Sequence, residues 1–216
     1  STLRGKHILI TAGPTYERID PVRFIGNFST GKMGFALAEV CAEHGAVVTL
    51  IAGPVSLTTH HPAIHRIDVT SAAEMAAATT HHFEHMDGAI LCAAVADFTP
   101  AQQEASKLKR KDGENLTLTL LPTQDIAAQL GHDKRPDQFL VGFALETDHE
   151  RENAVGKLKR KNMDFIVLNS LRDAGAGFGY DTNCVTIIHR DGRQQHYPLQ
   201  SKRRVAQDIV KEIEQL

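Results

Sequence analysis

Apolar residues along this chain recur in two alternating patterns. Short runs rich in Ile, Val and Leu are typical of buried strands, and the stretches between them carry apolar residues at helical spacing. The runs predict strands at residues 7–11, 47–52, 64–69, 89–95, 116–121, 138–145 and 165–169. The intervening stretches predict helices at residues 34–44, 71–85, 125–130 and 151–161. Strands that alternate with helices in this way favour βα units on a mainly parallel sheet.

The pattern changes after residue 169. Residues 184–189 and 194–198 flank Asp191-Gly192, which favours a type I′ turn and hence a β-hairpin. A last amphipathic helix is predicted at residues 202–216. The sequence therefore predicts one α/β domain over residues 1–216, a Rossmann-like, mainly parallel sheet flanked by helices, with a C-terminal β-hairpin extension. Residues 1–5 are expected to be a linker remnant, and residues 99–114, rich in Gln, Lys and Arg, a mobile lid loop.

Composition narrows the class of protein. The net charge is −2, which gives no electrostatic case for binding nucleic acid. No apolar run approaches the roughly 18 residues of a membrane span, and we find no signal peptide. The three cysteines, Cys41, Cys92 and Cys184, are widely spaced in apolar surroundings, which indicates reduced core thiols, with a catalytic thiol as the alternative. We therefore expect a cytoplasmic globular protein.

The most informative segment is the polar loop at residues 11–34, TAGPTYERIDPVRFIGNFSTGKMG. Such a loop leaves many backbone N–H groups free, and its far end opens a helix whose dipole favours negative charge, as in phosphate sites. Gly26, Gly31 and Lys32 have P-loop spacing, but the next residue is Met33, whose thioether cannot hold the Mg²⁺ that a P-loop hydroxyl holds. The segment predicts a nucleotide or phosphoester site and argues against an ordinary P-loop NTPase.

Polar residues continue through this loop beyond the needs of simple local structure. Gly13 and the proline after it could form only a turn, and one hydroxyl would be enough to cap the following helix. The chain instead interleaves its glycines with several polar side chains, which favours ligand binding. These side chains are Asn27, Ser29, Thr30 and Lys32.

The strand predicted at 89–95 ends in small residues that include Ala93 and Ala94, followed by Asp97. In open α/β sheets, ligands bind at the carboxyl ends of strands, and small side chains there let a ring or phosphate approach the backbone. Asp97 could coordinate a metal ion that bridges phosphates, or it could only cap the next turn.

Three charged clusters lie outside these segments. The basic run at residues 107–111 is either a solvated surface or a cationic lid over a phosphate site. The basic run at residues 157–161 is expected to be the solvent face of a helix. His81, His82 and His85 have metal-like spacing, but no fourth ligand is apparent, and we interpret them as a surface feature.

Five motifs together resemble one family. They are TAGPT at 11–15, IDPVRFIGNFSTGKMG at 19–34, AAVADF at 93–98, Lys107-x-Lys109 and VGFALE at 141–146. In this order they are similar to phosphopantothenate–cysteine ligase (phosphopantothenoylcysteine synthetase) of coenzyme A biosynthesis, the bacterial CTP-using type. The resemblance implies that 4′-phosphopantothenate attacks CTP, with Mg²⁺ as the divalent cation, to give an acyl-cytidylate and pyrophosphate. The amine of L-cysteine then displaces CMP.

The resemblance also implies roles for individual residues. The catalytic residues would be Asn27, which orients the acyl group of the acyl-cytidylate, Arg23, which is a positioning or structural partner, and Lys107, the lid lysine needed to form the intermediate. Thr30, with Asn27 and Lys107, would contact the phosphopantothenate, and Asp97 the nucleotide or its metal ion. The resemblance also implies nucleotide contacts for Gly13, Ser29, Gly31, Lys32, Met33, Ala93, Ala94, Asp125, Ile126, Phe143 and Ala144. Of these, the residues at 29–33 belong to a loop that would bind either the nucleotide or phosphopantothenate.

Two positions depart from the family pattern. Phe28-Ser29-Thr30 stands where the family has His-Ser-Ser, so an imidazole is absent while Thr30 keeps the hydroxyl. Thr123-Gln124-Asp125 lacks the rigid proline of the family's Asn-Pro-Asp or Thr-Pro-Asp near the base site.

The resemblance further implies partners. It implies a homodimer in which the lid of one subunit reaches the partner's site, with the hairpin edge at 184–198 as a candidate pairing surface. It also implies a flavin-dependent phosphopantothenoylcysteine decarboxylase domain fused N-terminally, so that this chain would be an excised or separately expressed C-terminal domain. Two other hypotheses stay open: an NAD(P)-dependent Rossmann-type reductase, weakened by the missing Gly-x-Gly-x-x-Gly, and a non-catalytic nucleotide-binding module.

Overall fold

The computed structural model describes residues 2–172 and 175–216, and an eight-stranded sheet crosses the described part of the chain. In chain order the strands are β1 His7–Ala12, β2 Glu17–Arg18, β3 Phe24–Ile25, β4 Val47–Ala52, β5 Ile64–Asp68, β6 Gly88–Leu91, β7 Phe98–Pro100, β8 Leu120–Pro122, β9 Phe139–Leu145, β10 Phe165–Ser170, β11 Thr182–His189 and β12 Gln194–Ser201. The main sheet has the order β12-β11-β10-β9-β6-β1-β4-β5.

The direction of the strands confirms the predicted fold class. Neighbouring strands from β5 to β10 pair in parallel, whereas β10–β11 and β11–β12 pair antiparallel. The result is a Rossmann-like parallel sheet extended by a C-terminal hairpin. From β1 the chain adds β4 and β5 on one side of the sheet, and from β6 onward it adds strands on the other side. Because the strand order reverses between β1 and β6, a crevice is expected there at the carboxyl edge.

Helices cover both faces of the sheet, and this explains why the strands read as continuous apolar runs. The helices are α1 Lys32–Glu43, α2 Ala72–Phe83, α3 Ile126–Asp133, α4 Asp148–Arg160 and α5 Lys202–Glu214. One core layer joins α1 and α5 to one face, and the other joins α2, α3 and α4 to the opposite face. Within the described ranges, none of the helices has the length and apolar character needed to cross a membrane.

Local signals set the helix ends. Gly31 has a φ of 82° and directly precedes α1, so this helix begins two residues earlier than predicted. After α1, Gly45 has a φ of 100°, as expected for a glycine just past a helix end. At α2 the Ser71 hydroxyl accepts a hydrogen bond from the Glu74 N–H at 3.1 Å and so caps the helix. The Glu74 carboxylate accepts the Thr70 N–H at 2.8 Å, one residue before the position in a standard capping box.

Two strand predictions were wrong in extent. The strand predicted at 89–95 ends at Leu91, and residues 92–97 leave the sheet as an irregular segment. Of the strand predicted at 116–121, only β8 forms, and it pairs with β7 outside the main sheet. We call this unit, residues 98–122, the arm; it contains the predicted lid loop at residues 99–114. The long polar loop also contains a short hairpin of β2 and β3 that the sequence analysis missed.

The turn between β11 and β12 also differs from the predicted type I′. Only Gly192 of the Asp191-Gly192 pair has a positive φ, of 89°. The Gly192 N–H donates to the His189 carbonyl at 3.0 Å, and the His189 N–H donates to the Arg193 carbonyl at 3.0 Å. This is a three-residue loop with a type I turn and a left-handed glycine, the next most common hairpin solution.

Candidate functional site at the carboxyl edge of the sheet

Two clefts open at the carboxyl edge of the sheet, one on each face. The first, which we call the α3–α4 cleft, has a volume of about 370 Å³. Its lining includes Thr11, Ala93, Asp97, Gln124, Asp125, Ile126, Phe143, Lys157 and Lys161. The second, the α1–α5 cleft, is much narrower, at about 30 Å³. Its lining includes Gly13, Ser29, Thr30, Gly31, Lys32, Met33, Cys92, Phe178, Asn183 and Lys202.

The segment between β6 and β7 forms the wall between the two clefts. Its backbone is held by the loop after β1: the Ala93 N–H donates to Thr11 Oγ1 at 3.2 Å, and the Ala94 N–H donates to the Gly13 carbonyl at 2.9 Å. The Ala96 N–H donates to Thr15 Oγ1 at 2.9 Å. These bonds fix an irregular backbone at a strand end, where small side chains leave room for a ligand.

The predicted nucleotide residues therefore fall into two groups. The structure brings Ala93, Asp97, Asp125, Ile126 and Phe143 together in the α3–α4 cleft. It places Gly13, Ser29, Gly31, Lys32 and Met33 in the α1–α5 cleft instead. Ala94 lies in the wall, and Ala144 packs against the core layer of α2, α3 and α4.

Lys157 and Lys161 line the α3–α4 cleft, so the prediction that they form only a solvent face was wrong. Lys161 Nζ lies 2.8 Å from Asp125 Oδ2, and Lys157 Nζ lies 3.3 Å from Glu150 Oε2. Both ammonium groups stay near the cleft because α4 ends over it. A pair of cations in a cleft at this edge suits a polyphosphate.

Asp125 has two partners at the mouth of the α3–α4 cleft. Its Oδ1 caps α3 by accepting the Ala128 N–H at 3.0 Å, and its Oδ2 pairs with Lys161. Burial alone would raise the pKa of this carboxyl, but the hydrogen bonds from Lys161 and from the Ala128 N–H outweigh it and lower the pKa below its usual value. Asp125 is therefore ionised at neutral pH and committed to Lys161.

Asp97 is a second exposed carboxylate of the same cleft. Among the described residues, no group of three or more His, Cys, Asp or Glu side chains is placed to hold a metal ion. Mg²⁺ in nucleotide sites commonly takes only one or two carboxylates and completes its shell with water and phosphate oxygens. The single carboxylate of Asp97 fits that kind of site and no all-protein metal cage.

Asn27 links the polar loop to the wall between the clefts. Its Nδ2 donates to the Ala94 carbonyl at 2.7 Å, and its Oδ1 accepts the Ser29 N–H at 3.0 Å. Thr30 and Lys32 lie farther along the loop and reach the segment before β11. Thr30 Oγ1 donates to the Phe178 carbonyl at 2.7 Å, and Lys32 Nζ lies 3.1 Å from Asp181 Oδ1.

Lys202 is a buried cation that the sequence analysis missed. Its Nζ donates to the Gly177 carbonyl at 2.7 Å, the Thr182 carbonyl at 3.2 Å and Asn183 Oδ1 at 2.5 Å. Burial, with the nearby charge of Lys32, lowers the pKa of the Lys202 ammonium to about 8. Cys92 lines the same cleft, and burial raises the pKa of its thiol to about 12, which argues against the alternative of a catalytic thiol.

The two other predicted catalytic residues, Arg23 and Lys107, lie at the loop that is predicted to be a lid, residues 99–114. Arg23 pairs with Asp20, and its Nη1 also donates to the Leu108 carbonyl at 3.2 Å. Lys107 itself is exposed and is not among the residues that line either cleft. The structure thus joins Arg23 to this loop, and it leaves the Lys107 side chain outside the α3–α4 cleft of its own chain.

Comparison with known proteins places the chain in a family. Residues 3–216 match the model of the DNA/pantothenate metabolism flavoprotein C-terminal domain. The chain is 54% identical over 98% of its length to a cysteine/cysteine sulfinic acid decarboxylase from an unknown prokaryotic organism, of which it covers 58%. It is 50% identical over 98% of its length to the coenzyme A biosynthesis bifunctional protein CoaBC of Bacillus subtilis, of which it covers 52%.

A solved structure shows the same relation. The crystal structure of the C-terminal domain of a coenzyme A biosynthesis bifunctional protein CoaBC superimposes with a TM-score of 0.82 at 44% identity, covering 99% of this chain and 98% of that one. The chain spans little more than half the length of the curated relatives above. It belongs to the family of the DNA/pantothenate metabolism flavoprotein C-terminal domain.

Proposed function

We propose that this chain is a phosphopantothenate–cysteine ligase domain of coenzyme A biosynthesis, which joins 4′-phosphopantothenate to L-cysteine and converts CTP to CMP and pyrophosphate. The observation that supports this most directly is the α3–α4 cleft. There, two lysines and an exposed aspartate converge on the carboxyl edge of a Rossmann-like sheet, in a member of this family. Both phosphorylated substrates need cationic and N–H-rich surroundings of this kind.

The chemistry requires activation because a carboxylate oxygen is a poor leaving group. In the first step, a carboxylate oxygen of 4′-phosphopantothenate forms a bond to the α-phosphorus of CTP, and the bond from that phosphorus to the pyrophosphate oxygen breaks. In the second step, the nitrogen of L-cysteine bonds to the acyl carbon and loses a proton. The bond from the acyl carbon to the bridging oxygen breaks, and that oxygen leaves with CMP.

CTP would lie in the α3–α4 cleft. Ile126 and Phe143 supply apolar surface for the base and ribose, and Lys157 and Lys161 neutralise phosphate charge. Asp97 would hold Mg²⁺, which when bound supplies further neutralisation of the phosphates. These residues preorganise positive charge where the pyrophosphate develops its own negative charge, so they favour the first step.

Phosphopantothenate would bind in the α1–α5 cleft, which the polar loop at residues 11–34 lines. The N-terminus of α1, with Ser29, Gly31 and Lys32, offers N–H groups and a cation on the α1–α5 side of the wall. Asn27 would orient the acyl group, because its amide is already fixed against the Ala94 carbonyl between the two clefts. Lys107 would approach the phosphates from the lid when the first step takes place.

We further propose that the chain works as a cytoplasmic homodimer. The hairpin edge β12 is one candidate surface, but large exposed apolar side chains are concentrated on the arm and the polar loop, where Phe28 is 93% exposed, Leu116 63% and Leu121 50%. A second copy seated on the arm would cover such surface and bring its lid toward the neighbouring site. The relatives of about twice the length suggest that a flavin-dependent phosphopantothenoylcysteine decarboxylase domain precedes this one in the full protein.

Pyrophosphate release from CTP tests the proposal. We expect release with Mg²⁺ and 4′-phosphopantothenate alone, and CMP with the amide product only when L-cysteine is added. ATP in parallel measures the nucleotide preference. Asp97→Asn should lower both the rate of pyrophosphate release and the stimulation of that rate by Mg²⁺. If no combination of substrates cleaves a nucleotide, while the chain is folded and binds CTP, the ligase proposal fails in favour of a binding module. Hydride transfer from NAD(P)H would favour a reductase instead.

A further inference from the structure

Asp20 is a buried carboxylate to which the roles above assign nothing, although it lies within the polar loop. It is 1% exposed. Its Oδ1 accepts the backbone N–H groups of Val22 at 2.9 Å and Arg23 at 2.7 Å. Its Oδ2 accepts the Leu108 N–H at 2.9 Å and the Arg23 guanidinium at 2.5 Å. Four donors from two distant parts of the chain therefore meet on one side chain.

The Leu108 end of this contact belongs to the lid. Both backbone polar groups of Leu108 are used, because its N–H donates to Asp20 and its carbonyl accepts Arg23 Nη1 at 3.2 Å. The Glu104 N–H donates to the Ile19 carbonyl at 2.9 Å and makes a second tie nearby. Lys107 directly precedes the clamped residue, and its own side chain is exposed. The origin of the Lys107 side chain is thus fixed while its ammonium is left free.

The other end of the contact leads to the wall between the clefts. Four residues after Arg23, the Asn27 amide is bonded to the Ala94 carbonyl at 2.7 Å. The segment at 19–27 therefore touches the lid at one end and the strand end of the reaction site at the other. Burial would raise the pKa of the Asp20 carboxyl, but the N–H donors of Leu108, Val22 and Arg23 hold it at about 2. The clamp consequently keeps its charge over the whole working range of pH.

We infer that Asp20 is a positioning residue for the first half-reaction, which sets the place of Lys107 by clamping the backbone of Leu108 together with Arg23. This inference rests on the proposed ligase function and on Lys107 as its lid lysine. Asp20 touches no substrate in this role and acts only through the lid. A purely local role, in which Asp20 does no more than shape the turn at 20–23, would leave the lid lysine unaffected by its loss.

A double-mutant cycle separates the two roles. We expect Asp20→Asn to slow phosphopantothenate-dependent pyrophosphate release by on the order of 100-fold, because a displaced catalytic group loses about that much. In a Lys107→Gln background, the same change should alter the rate by less than about two-fold, because the residue through which it acts is gone. Leu108→Pro, which removes the lid N–H and leaves the carboxylate in place, should behave in the same way.

Asp87→Asn is the matched control. Asp87 Oδ2 also accepts a backbone N–H, from His7 at 2.7 Å, but at the amino edge of the sheet, remote from both clefts. Asp87→Asn should leave the rate of pyrophosphate release near that of the wild type in either background. It shows what the loss of a backbone-capping carboxylate does when the lid is not involved.

Limited trypsin digestion gives a readout that does not depend on catalysis. The lid carries the cleavable sites Lys107, Lys109, Arg110 and Lys111. Release of the clamp in Asp20→Asn should speed cleavage at these sites, located by mass spectrometry, while Asp87→Asn should not. Unchanged lid cleavage in Asp20→Asn, or a full loss of rate in the Lys107→Gln background, would overturn the inference. If the wild type released no pyrophosphate, the ligase proposal would fall, and the digestion would still decide whether Asp20 holds the lid.

Discussion

Replacing Lys161 by Met removes one of the two ammonium groups from the α3–α4 cleft and keeps a side chain of similar length. In the wild type, Lys161 Nζ lies 2.8 Å from Asp125 Oδ2 in a cleft of about 370 Å³. A charge-assisted hydrogen bond to a phosphate contributes roughly 2 kcal/mol, which corresponds to about thirty-fold in Kd. The variant also leaves Asp125 without its counter-charge and facing the polyphosphate. We therefore expect CTP binding to weaken by at least about thirty-fold.

The assay is titration calorimetry of Mg²⁺–CTP in the absence of phosphopantothenate, so that no turnover occurs. Lys159→Met is the matched control, because Lys159 is exposed in the last turn of α4, two residues before Lys161, and does not line the cleft. The double variant Lys161→Met with Asp125→Asn should bind more tightly than Lys161→Met alone, since it removes the unpaired charge. An affinity of Lys161→Met within about two-fold of the Lys159→Met control would refute the placement of the nucleotide in this cleft.

The same pair gives a pH dependence whose sign follows from the structure. Lys161 and the Ala128 N–H lower the pKa of the Asp125 carboxyl against the effect of burial. In Lys161→Met the lowering by Lys161 is lost, so the pKa of the Asp125 carboxyl rises above its wild-type value. Protonation of Asp125 should then relieve the repulsion as pH falls, so the variant should regain affinity toward acidic pH, whereas the wild type should not. Binding curves at pH 5.5 and 8 measure this difference.

Three further predictions concern other parts of the molecule. Asn27→Asp should leave pyrophosphate release partly intact and block the amide product, because the carboxylate loses the donor to the Ala94 carbonyl, as quantified by separate assays of the two half-reactions. Gly34→Ala should lower the free energy of unfolding in urea by about 1–3 kcal/mol, since its Cβ would lie 2.4 Å from that of Ala12; Gly156→Ala, on an exposed helix face, should instead stabilise by about 0.5–1 kcal/mol. Burial lowers the pKa of Lys202 to about 8, so the unfolded chain holds that proton more tightly than the folded chain does. The free energy of unfolding should therefore rise with pH above about 8, and denaturant titrations of Lys202→Met should lack this rise.

Most of the sheet follows from the sequence because its strands are buried on both faces. β1 is exposed only at His7, and the short length and Ile content of such a run favour a strand over a buried helix. The strand predicted at 116–121 fails for the opposite reason. Its Leu and Thr residues alternate as in a strand, but Leu116 and Leu118 are exposed and have no core to cover in the single chain. The alternation of Leu and Thr therefore reflects an exposed apolar surface and does not indicate a strand of the main sheet.

Only part of the candidate site could be predicted from the sequence. Residues of the polar loop and the wall could be predicted together because the carboxyl ends of parallel strands meet at one edge. Lys157 and Lys161 could not, because i,i+4 lysines on a charged helix look like any solvated face. Only the tertiary position of the end of α4 brings them over the cleft. That Ser29 and Asp97 serve different clefts was likewise hidden, since the sequence does not say on which face of the sheet each loop lies.

Lys202 carried a signal that could have been found. It is the first residue of α5, directly after the capping hydroxyl of Ser201, where a positive charge opposes the helix dipole. A lysine at such a position calls for compensation elsewhere. The compensation here comes from the Gly177 carbonyl before β11 and from the Thr182 carbonyl and Asn183 Oδ1 at the start of β11. The segment before β11 also accepts hydrogen bonds from Thr30 and Lys32 of the polar loop.

The fate of one oxygen tests the central claim most directly. 4′-Phosphopantothenate labelled with ¹⁸O in both carboxylate oxygens would be incubated with the protein, CTP, Mg²⁺ and L-cysteine. The ¹⁸O content of each product would then be measured by mass spectrometry. If the carboxylate attacks the α-phosphorus and cysteine displaces CMP, one ¹⁸O must appear in CMP and one must remain in the amide. Unlabelled CMP, or ¹⁸O found in pyrophosphate, would contradict an acyl-cytidylate and with it the proposed mechanism.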